Sequence, residues 1–522
     1  MKPFLYLVQV KVAELQAEND ALKQELVRLK KDNEELHQAQ ARLKFQLAEL
    51  QRLIFSSKSE RYVPQPQQVP NQLSFDFGEL SPIDQTVEEP GNEEKQVVTY
   101  ERKKGKHPGR HPIPDHLPTQ EVRIEPTEDV SEAEHIADTI VDTLDYTPAS
   151  LIRRRYIFPR YVKTETNEQG EEQTVIIQGR MPSRPLPKSI AEAGLLAHLI
   201  VSKFVYHLPF YRQRQQFEQL YKVKLAKSTV NDWFAGVCAL LEPLYNRLKQ
   251  KVVDCDYLQA DESPIRVQDN TKSGKTHRGY QWVYQAPLEG LVLFDYQKGR
   301  GKNGPKTILS DFSGKLQTDG YVVYDKLVKG LTPIKLVGCM AHARRYFFQA
   351  KDADPEAETA LAYFTQLYDI ERNLREAQAS AEQIKEARQQ KALPILNTLF
   401  DWAGKQQKQA LPKSPLGKAI YYLLQRREKL MAYCEDGRLQ IDNNLVENSI
   451  RPLALGRKNY LFAGSHEAAQ RIAMMYSFFA SWKKQNVNPY RGIKVVLDRI
   501  PEHPINQIEE LLPGKWVRNL DT

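Results

Sequence analysis

The chain has 522 residues, too many for a single hydrophobic core, so several domains are expected. Its 41% hydrophobic and 27% charged content is ordinary for a soluble protein, and its net charge of +8 is a mild basic bias compatible with nucleic acid. Four scattered cysteines (Cys238, Cys255, Cys339, Cys434) with no Cys-x-x-Cys pair exclude a disulfide framework and point to a reducing, cytoplasmic compartment.

Near the start, Phe4 to Val10 is apolar but too short to span a membrane, and no small-residue cleavage site follows. Leucine then recurs every seven residues at Leu15, Leu22, Leu29, Leu36, Leu43 and Leu50, the d register of a leucine zipper. Asn19 and Asn33 fall at a positions and favour a two-stranded, in-register pair. Glu18, Glu25 and Asp32 at g face Lys23, Lys30 and His37 at e of a parallel partner, which predicts a parallel homodimer through residues 12–54. The competing arrangement is a helix folded back on the body, in which that charge pattern has no purpose.

Residues 1–55 therefore read as coiled coil, and 56–115, rich in Pro, Gln, Glu and Ser, as a linker. Its basic knot Lys104-Gly105-Lys106-His107-Pro108-Gly109-Arg110 suits phosphate tracking or plain solvation equally. Alternating stretches such as Tyr156-Ile157-Phe158 and Thr174-Val175-Ile176-Ile177 predict a small β-rich module over 116–185. Over 186–250 the pattern turns helical. Tyr211 to Leu220, a basic turn, and a second helix capped by Ser228 predict a helix–turn–helix. Lys227, Ser228, Thr229 and Asn231 at the second helix's start are its candidate DNA contacts, against plain helix packing as the alternative.

The segment 251–350 alternates strands and turns. Tyr257 to Ala260 predicts a short strand ending at Asp261, and Tyr280–Tyr284 with Leu291–Tyr296 a hairpin. Lys315 to Thr318 leads into Asp319, and Lys335 to Cys339 precedes a helix over Ala341–Ala350. Antiparallel strands followed by a βαβ portion match the strand order of a ribonuclease-H-like sheet. Residues 351–435 read as a helical insertion, 436–490 as the second part of the catalytic domain, and 491–522 as a tail. The fold class expected is multidomain α+β.

Asp261, Asp319 and Glu447, the last on a helix, suit a two-metal site for phosphodiester cleavage. Any one of them alone is an ordinary turn former or surface acid. Asp442 is a rival for the third position, although it lies five residues from Glu447 and off its helix face. Asn443 and Asn444 are candidate caps for that helix. Arg344, Arg345, Arg451, Arg457 and Lys458 flank these blocks and are suited to phosphates or to ion pairs within the fold.

Four blocks carry a family resemblance. They are Ala260-Asp261-Glu262-Ser263-Pro264, Gln317-Thr318-Asp319-Gly320-Tyr321, Gly338-Cys339-Met340-Ala341-His342-Ala343-Arg344-Arg345 and Asp442-Asn443-Asn444-Leu445-Val446-Glu447-Asn448-Ser449-Ile450-Arg451-Pro452. With the zipper ahead of them, they resemble transposases of the insertion-sequence-66 family (the TnpC type). The resemblance implies a DDE triad of Asp261, Asp319 and Glu447 holding two Mg²⁺ (or Mn²⁺) ions. It further implies cleavage at element ends, strand transfer into double-stranded target DNA, and small companion proteins from the same element, in a bacterial, nucleoid-associated setting. Cys339 and His342 match a Cys-x-x-His motif of such families. Two ligands do not make a zinc site, so a supporting role is expected. Many relatives carry paired cysteines in the region matching 116–165. This chain has none there, and no structural zinc is expected. The competing functions are a ribonuclease-H-like nuclease or resolvase that cuts without joining, and a non-catalytic DNA-binding relic of a transposase.

Overall fold

Tyr257 to Gln268 forms the central strand of a five-stranded sheet. The computed structural model describes residues 182–514 apart from 188, 270–274 and 330–332, together with 151–153, 156, 160–166, 172–178 and scattered positions between 19 and 46. The zipper register, the linker with its basic knot and most of the 116–185 module lie outside the described residues. Residues 78–180 make a unit of their own, in which β1 (Arg160–Thr166) and β2 (Glu172–Gln178) pair antiparallel, Arg160 opposite Gln178.

In the other unit three helices lead into the sheet: α1 (Ala193–Phe204), α2 (Phe210–Tyr221) and α3 (Lys227–Val253). Lys222, in the left-handed region at φ 56°, ends α2. The sequence suggested Ser228 as the cap of a short second helix. Instead α3 starts at Lys227, with Ala226 at the cap position and no side-chain cap bond. It runs on because its apolar stripe does not stop at Phe234: Val237, Leu241, Leu244, Leu248 and Val252 continue it at helical spacing, all buried. Tyr245 then donates a 2.6 Å bond to the Phe294 carbonyl, tying α3 to the sheet. This helix is a structural beam with one face buried along its length.

The strands are β3 (Tyr257–Gln268), β4 (Thr276–Ala286), β5 (Leu291–Gln297), β6 (Gly314–Gln317) and β7 (Ile334–Val337), in spatial order β5-β4-β3-β6-β7. β5, β4 and β3 are antiparallel, while β6 and β7 run parallel to β3. The expected end of β3 at Asp261 is too early. β4 stays paired with β3 from Gln259 to Gln268, whereas β6 pairs only Tyr257 to Gln259. Between Asp261 and Ile265 one edge of β3 has no strand partner, which is why Pro264, lacking an N–H, is tolerated there; from Arg266 to Gln268 that stretch bonds Ala463. Short helices α4 (Asn303–Leu309) and α5 (Val322–Val328) precede β6 and β7.

From α6 (Met340–Ala350) the chain is helical: α7 (Glu356–Glu376), α8 (Ala381–Ala387), a π-helical turn at Arg388–Ala392, α9 (Leu393–Gln406), α10 (Pro415–Leu424) and α11 (Arg427–Met431). Phe347, Phe364, Leu396, Phe400, Ile420 and Leu423 form one buried core that also takes in Tyr257 and Val337 of the sheet. The chain then returns through α12 (Asn444–Tyr460), α13 (His466–Lys484) and α14 (Pro489–Arg499). On the outer strand β5, Ser481 and Ser477 of α13 accept from the N–H groups of Val292 and Phe294 at 2.9 and 2.8 Å.

Candidate active site

Asp261 lies mid-strand on β3, half-buried. Asp319 follows β6 by two residues, in a turn where its Oδ1 accepts from the Tyr321 N–H at 2.8 Å. Gly320 takes φ 88°, and a Cβ there would run into Arg426. Arg426 Nη2 donates to the Gly320 carbonyl at 2.8 Å, and the Tyr422 hydroxyl donates to the Asp319 carbonyl. The helical segment thus clamps the turn that carries the second carboxylate. Tyr346 stacks on Tyr422 with ring centres 4.6 Å apart.

Glu447 sits in the first turn of α12. Asn443 occupies the cap position but makes no cap bond. Asp442 does that work: its Oδ1 accepts from the Asn444 N–H at 3.1 Å and its Oδ2 from Asn444 Nδ2 and the Tyr368 hydroxyl, both at 2.9 Å. With its oxygens engaged, Asp442 is a helix cap and an anchor to α7. Glu447, by contrast, keeps a buried Oε1 with no hydrogen-bond partner.

Below the carboxylates lies a polar network that sequence reasoning missed. Gln259 Nε2 donates to Gln317 Oε1 at 2.9 Å and to the Asp442 carbonyl at 3.0 Å, while its Oε1 accepts from the Val446 N–H at 3.2 Å. Gln317 Nε2 donates to the carbonyls of Gly338 and Gln440 at 3.0 and 2.9 Å, and the Tyr257 hydroxyl donates to Gln317 Oε1 at 2.6 Å. Both glutamines are fully buried. They join β3, β6 and the approach to α12, so the helix that carries Glu447 is tied to the two strands that lead to Asp261 and Asp319. The only sequence trace of this is a repeated Gln-x-Asp, in Gln259-Ala260-Asp261 and Gln317-Thr318-Asp319.

The carboxylates feel one another. Burial pushes the Asp261 carboxyl well above the usual range, and the charges of Glu262, Asp319 and Glu447 push it further. Burial raises Glu447 to about 7, Arg345 opposing and Asp442 and Asp319 adding to the rise. Glu262 rises to about 7 for the same reason, despite a 2.6 Å bond from Arg300 Nε. Among the described residues no group of three or more His, Cys, Asp or Glu side chains stands close enough to hold a metal ion. Asp261, Asp319 and Glu447 are near enough to repel but not drawn together. Their donor chemistry, all carboxylate oxygen with one orphaned and buried, fits a hard divalent cation.

A pH dependence follows. These carboxyls bind protons more tightly folded than unfolded, so without divalent ions stability falls as pH rises from the usual carboxylate range through about 7. Melting temperature measured across that window in chelator is expected to decline, and Mg²⁺ or the change Glu447→Gln to flatten the slope. A rising melting temperature without metal, unaffected by either, would contradict this electrostatic account.

His342 Nδ1 lies 3.2 Å from Cys339 Sγ and 3.7 Å from Glu447 Oε1. Burial pulls the imidazole down to about 4, so it is neutral near pH 7. Cys339 is buried and its sulfur accepts from the Asn443 N–H at 3.5 Å, so the pair braces the start of α12. Arg345 Nη2 is 3.9 Å from Glu447 Oε2, and Arg344 lies over the Phe348 ring. Arg457 is committed within the fold, donating to Ser263 Oγ and the Pro264 carbonyl at 2.9 and 2.6 Å. Arg451 and Lys458 are exposed on α12. Lys227, Ser228 and Asn231 are exposed and Thr229 half-buried at the start of α3, away from the carboxylates.

Comparison with known proteins places this arrangement. The model described as "Transposase IS66 family" matches residues 188–471, and one described as "Transposase C of IS166 homeodomain" matches 42–122. Two similar chains come from Sinorhizobium fredii (strain NBRC 101917 / NGR234). Uncharacterized protein y4jD is 33% identical over 90% of this chain and 94% of its own, and uncharacterized protein y4hP is 28% identical over 79% and 78%. The chain belongs to the IS66 transposase family. That membership gives it a transposase role, with DNA as its partner. No helix among the described residues is long and apolar enough to cross a membrane.

Proposed function

We propose that the protein cleaves DNA at the ends of its insertion sequence and joins them to target DNA, with Asp261, Asp319 and Glu447 as a DDE triad. The observation that supports this is that the carboxylates carried by β3, the β6 turn and α12 perturb one another: Asp319 and Glu447 raise Asp261, and Asp319 raises Glu447. The strand order β5-β4-β3-β6-β7, with the first acid on the central strand, supports a ribonuclease-H-like catalytic domain.

In this reading Asp261, Asp319 and Glu447 would hold two Mg²⁺ or Mn²⁺ ions, which would supply activation of the attacking oxygen and stabilisation of the leaving one. The protein's own part is placement. The buried glutamines fix the approach to α12, Tyr422 and Arg426 fix the Asp319 turn, and neutral His342 leaves Glu447 free to act as a ligand. Arg345, beside Glu447, is placed to meet a DNA phosphate.

The test is cleavage of labelled duplexes carrying the element's own ends. Mg²⁺-dependent nicking that exposes a 3′-hydroxyl, followed by joined product, supports transposition. Nicking without joining favours the nuclease or resolvase, and binding without cleavage favours the DNA-binding relic or a missing companion protein.

The zipper reading adds a separate expectation. Leu22→Pro together with Leu36→Pro breaks both helices of a parallel pair, so dimers through residues 12–54 are lost. Sedimentation equilibrium reads this directly, and an unchanged mass would place the dimer contact elsewhere.

A further inference from the structure

A cavity of about 270 Å³ lies where α1 and α3 meet the loop between α12 and α13. Lys203 and Arg471 line it, and no acidic residue does. Lys203 is held among aromatic rings, with Nζ 4.1 Å from the centre of Phe210 and 5.1 Å from that of Phe234. Neither cation is paired with a carboxylate among the described residues. Ser465, also in the lining, caps α13 by accepting from the Ala468 N–H at 3.0 Å, so the positive end of a helix of 19 residues adjoins the same space. A half-buried ammonium held against aromatic rings with no carboxylate partner, beside a second cation and a helix start, suits an anion.

The rim points to the kind of anion. Leu461 takes φ 65°, a strained value for a side chain, and Leu461 and Phe462 are 66% and 43% exposed. An exposed aromatic beside a cationic pocket suits a stacked base attached to a phosphate. Asn231, a candidate DNA contact, also lines the cavity.

The cavity has a fixed relation to the carboxylates. Ala463 bridges to Val267 of β3, so its distance from Asp261 is six residues of strand, about 20 Å. Along α12, Glu447 to Tyr460 gives about 20 Å again. Between them the exposed residues Arg451, Leu455 and Lys458 follow Glu447 along one helix face.

We propose that this cavity seats a phosphate of an unpaired strand at the DNA end, its base stacked on Phe462, roughly six nucleotides from the phosphodiester held by the triad. The proposal rests on the transposase chemistry above for where the strand begins, but its binding can be measured apart from it.

The experiment uses the full chain in EDTA, so that cutting plays no part. Blunt duplexes are compared with the same duplex bearing an unpaired tail of about eight nucleotides, with 2-aminopurine at successive tail positions. The tailed DNA is expected to bind about tenfold tighter, with fluorescence quenched most near the sixth position. Lys203→Met and, as a surface change that spares folding, Phe462→Ala are each expected to bring tailed DNA back to the blunt affinity. Equal affinity for both DNAs, or an undiminished preference in both variants, overturns the proposal. Millimolar inorganic phosphate at constant ionic strength is expected to compete for the same seat and reduce the preference, and a preference untouched by phosphate overturns the proposal. Tail preference without any Mg²⁺-dependent cutting in a parallel assay would leave this site standing and turn the function toward the DNA-binding relic or a missing companion protein.

Discussion

Asp261→Asn and Glu447→Gln are each expected to lower metal-dependent cleavage of element ends by about a thousandfold or more, with DNA affinity changed by less than about threefold. Each change removes a charged oxygen from the proposed triad and keeps the side chain's shape. Neither touches the exposed cations proposed to meet phosphate. Each also relieves repulsion, since Asp261 and Glu447 are held above their usual range by burial and neighbouring acids. The inactive variants are therefore expected to melt at or above the wild-type temperature in chelator. Asp442→Asn is the informative contrast. Its carboxylate serves Asn444 and Tyr368, so its loss is expected to weaken folding before it weakens chemistry. Cleavage assays beside thermal melts separate these. A Glu447→Gln protein that still cuts near the wild-type rate, beside a dead but stable Asp442→Asn protein, would reverse the assignment.

Arg388→Met is expected to destabilise the protein by about 3–5 kcal/mol. Arg388 opens the π-helical turn and its side chain is 3% exposed. Its Nε and Nη2 donate to the two oxygens of Glu371 at 2.8 and 2.7 Å. Nη1 donates to the carbonyls of Tyr433 and Asp436, both at 3.0 Å, and Nη2 to that of Leu439 at 2.9 Å. Methionine fills much of the volume but leaves a buried carboxylate uncompensated and three carbonyls unmet. Arg388→Lys keeps the charge without the planar fork and is expected to fall between. Denaturant unfolding is the measurement, and a Met variant within about 1 kcal/mol of wild type would mean that water satisfies those groups. Because the Leu439 carbonyl lies just before Gln440, loosening there is also expected to slow cleavage.

The carboxylates stood out in the sequence because each sits in a distinctive local context, and local context is what a linear reading sees. The same holds for the hairpin of β4 and β5, for the short strands before Asp319 and Cys339, and for the helical run between α6 and α11. The errors were made where distant partners decide. β3 continues past Asp261 because β4 supports it, a pairing invisible from Tyr257 to Ala260 alone. α3 outruns the expected short helix because its stripe serves the sheet. Asp442, the rival to Glu447 that the sequence placed off its helix face, gives an oxygen to Tyr368 on another helix, a partner the sequence does not show. Gln259 and Gln317 left only the repeated Gln-x-Asp and Arg388 nothing, since an amide or guanidinium is marked as buried only by the fold around it.

The glutamine network has a consequence for the order of synthesis. Gln259 and Gln317 emerge from the ribosome well before Gln440, Asp442 and Val446, whose backbone groups they are shaped to meet. Until that later segment arrives, the amides keep only their bonds to each other and to Tyr257 and Gly338, and Glu447 is not yet made. On the proposed triad, a nascent chain stalled before Gln440 carries both aspartates and is expected not to cut DNA.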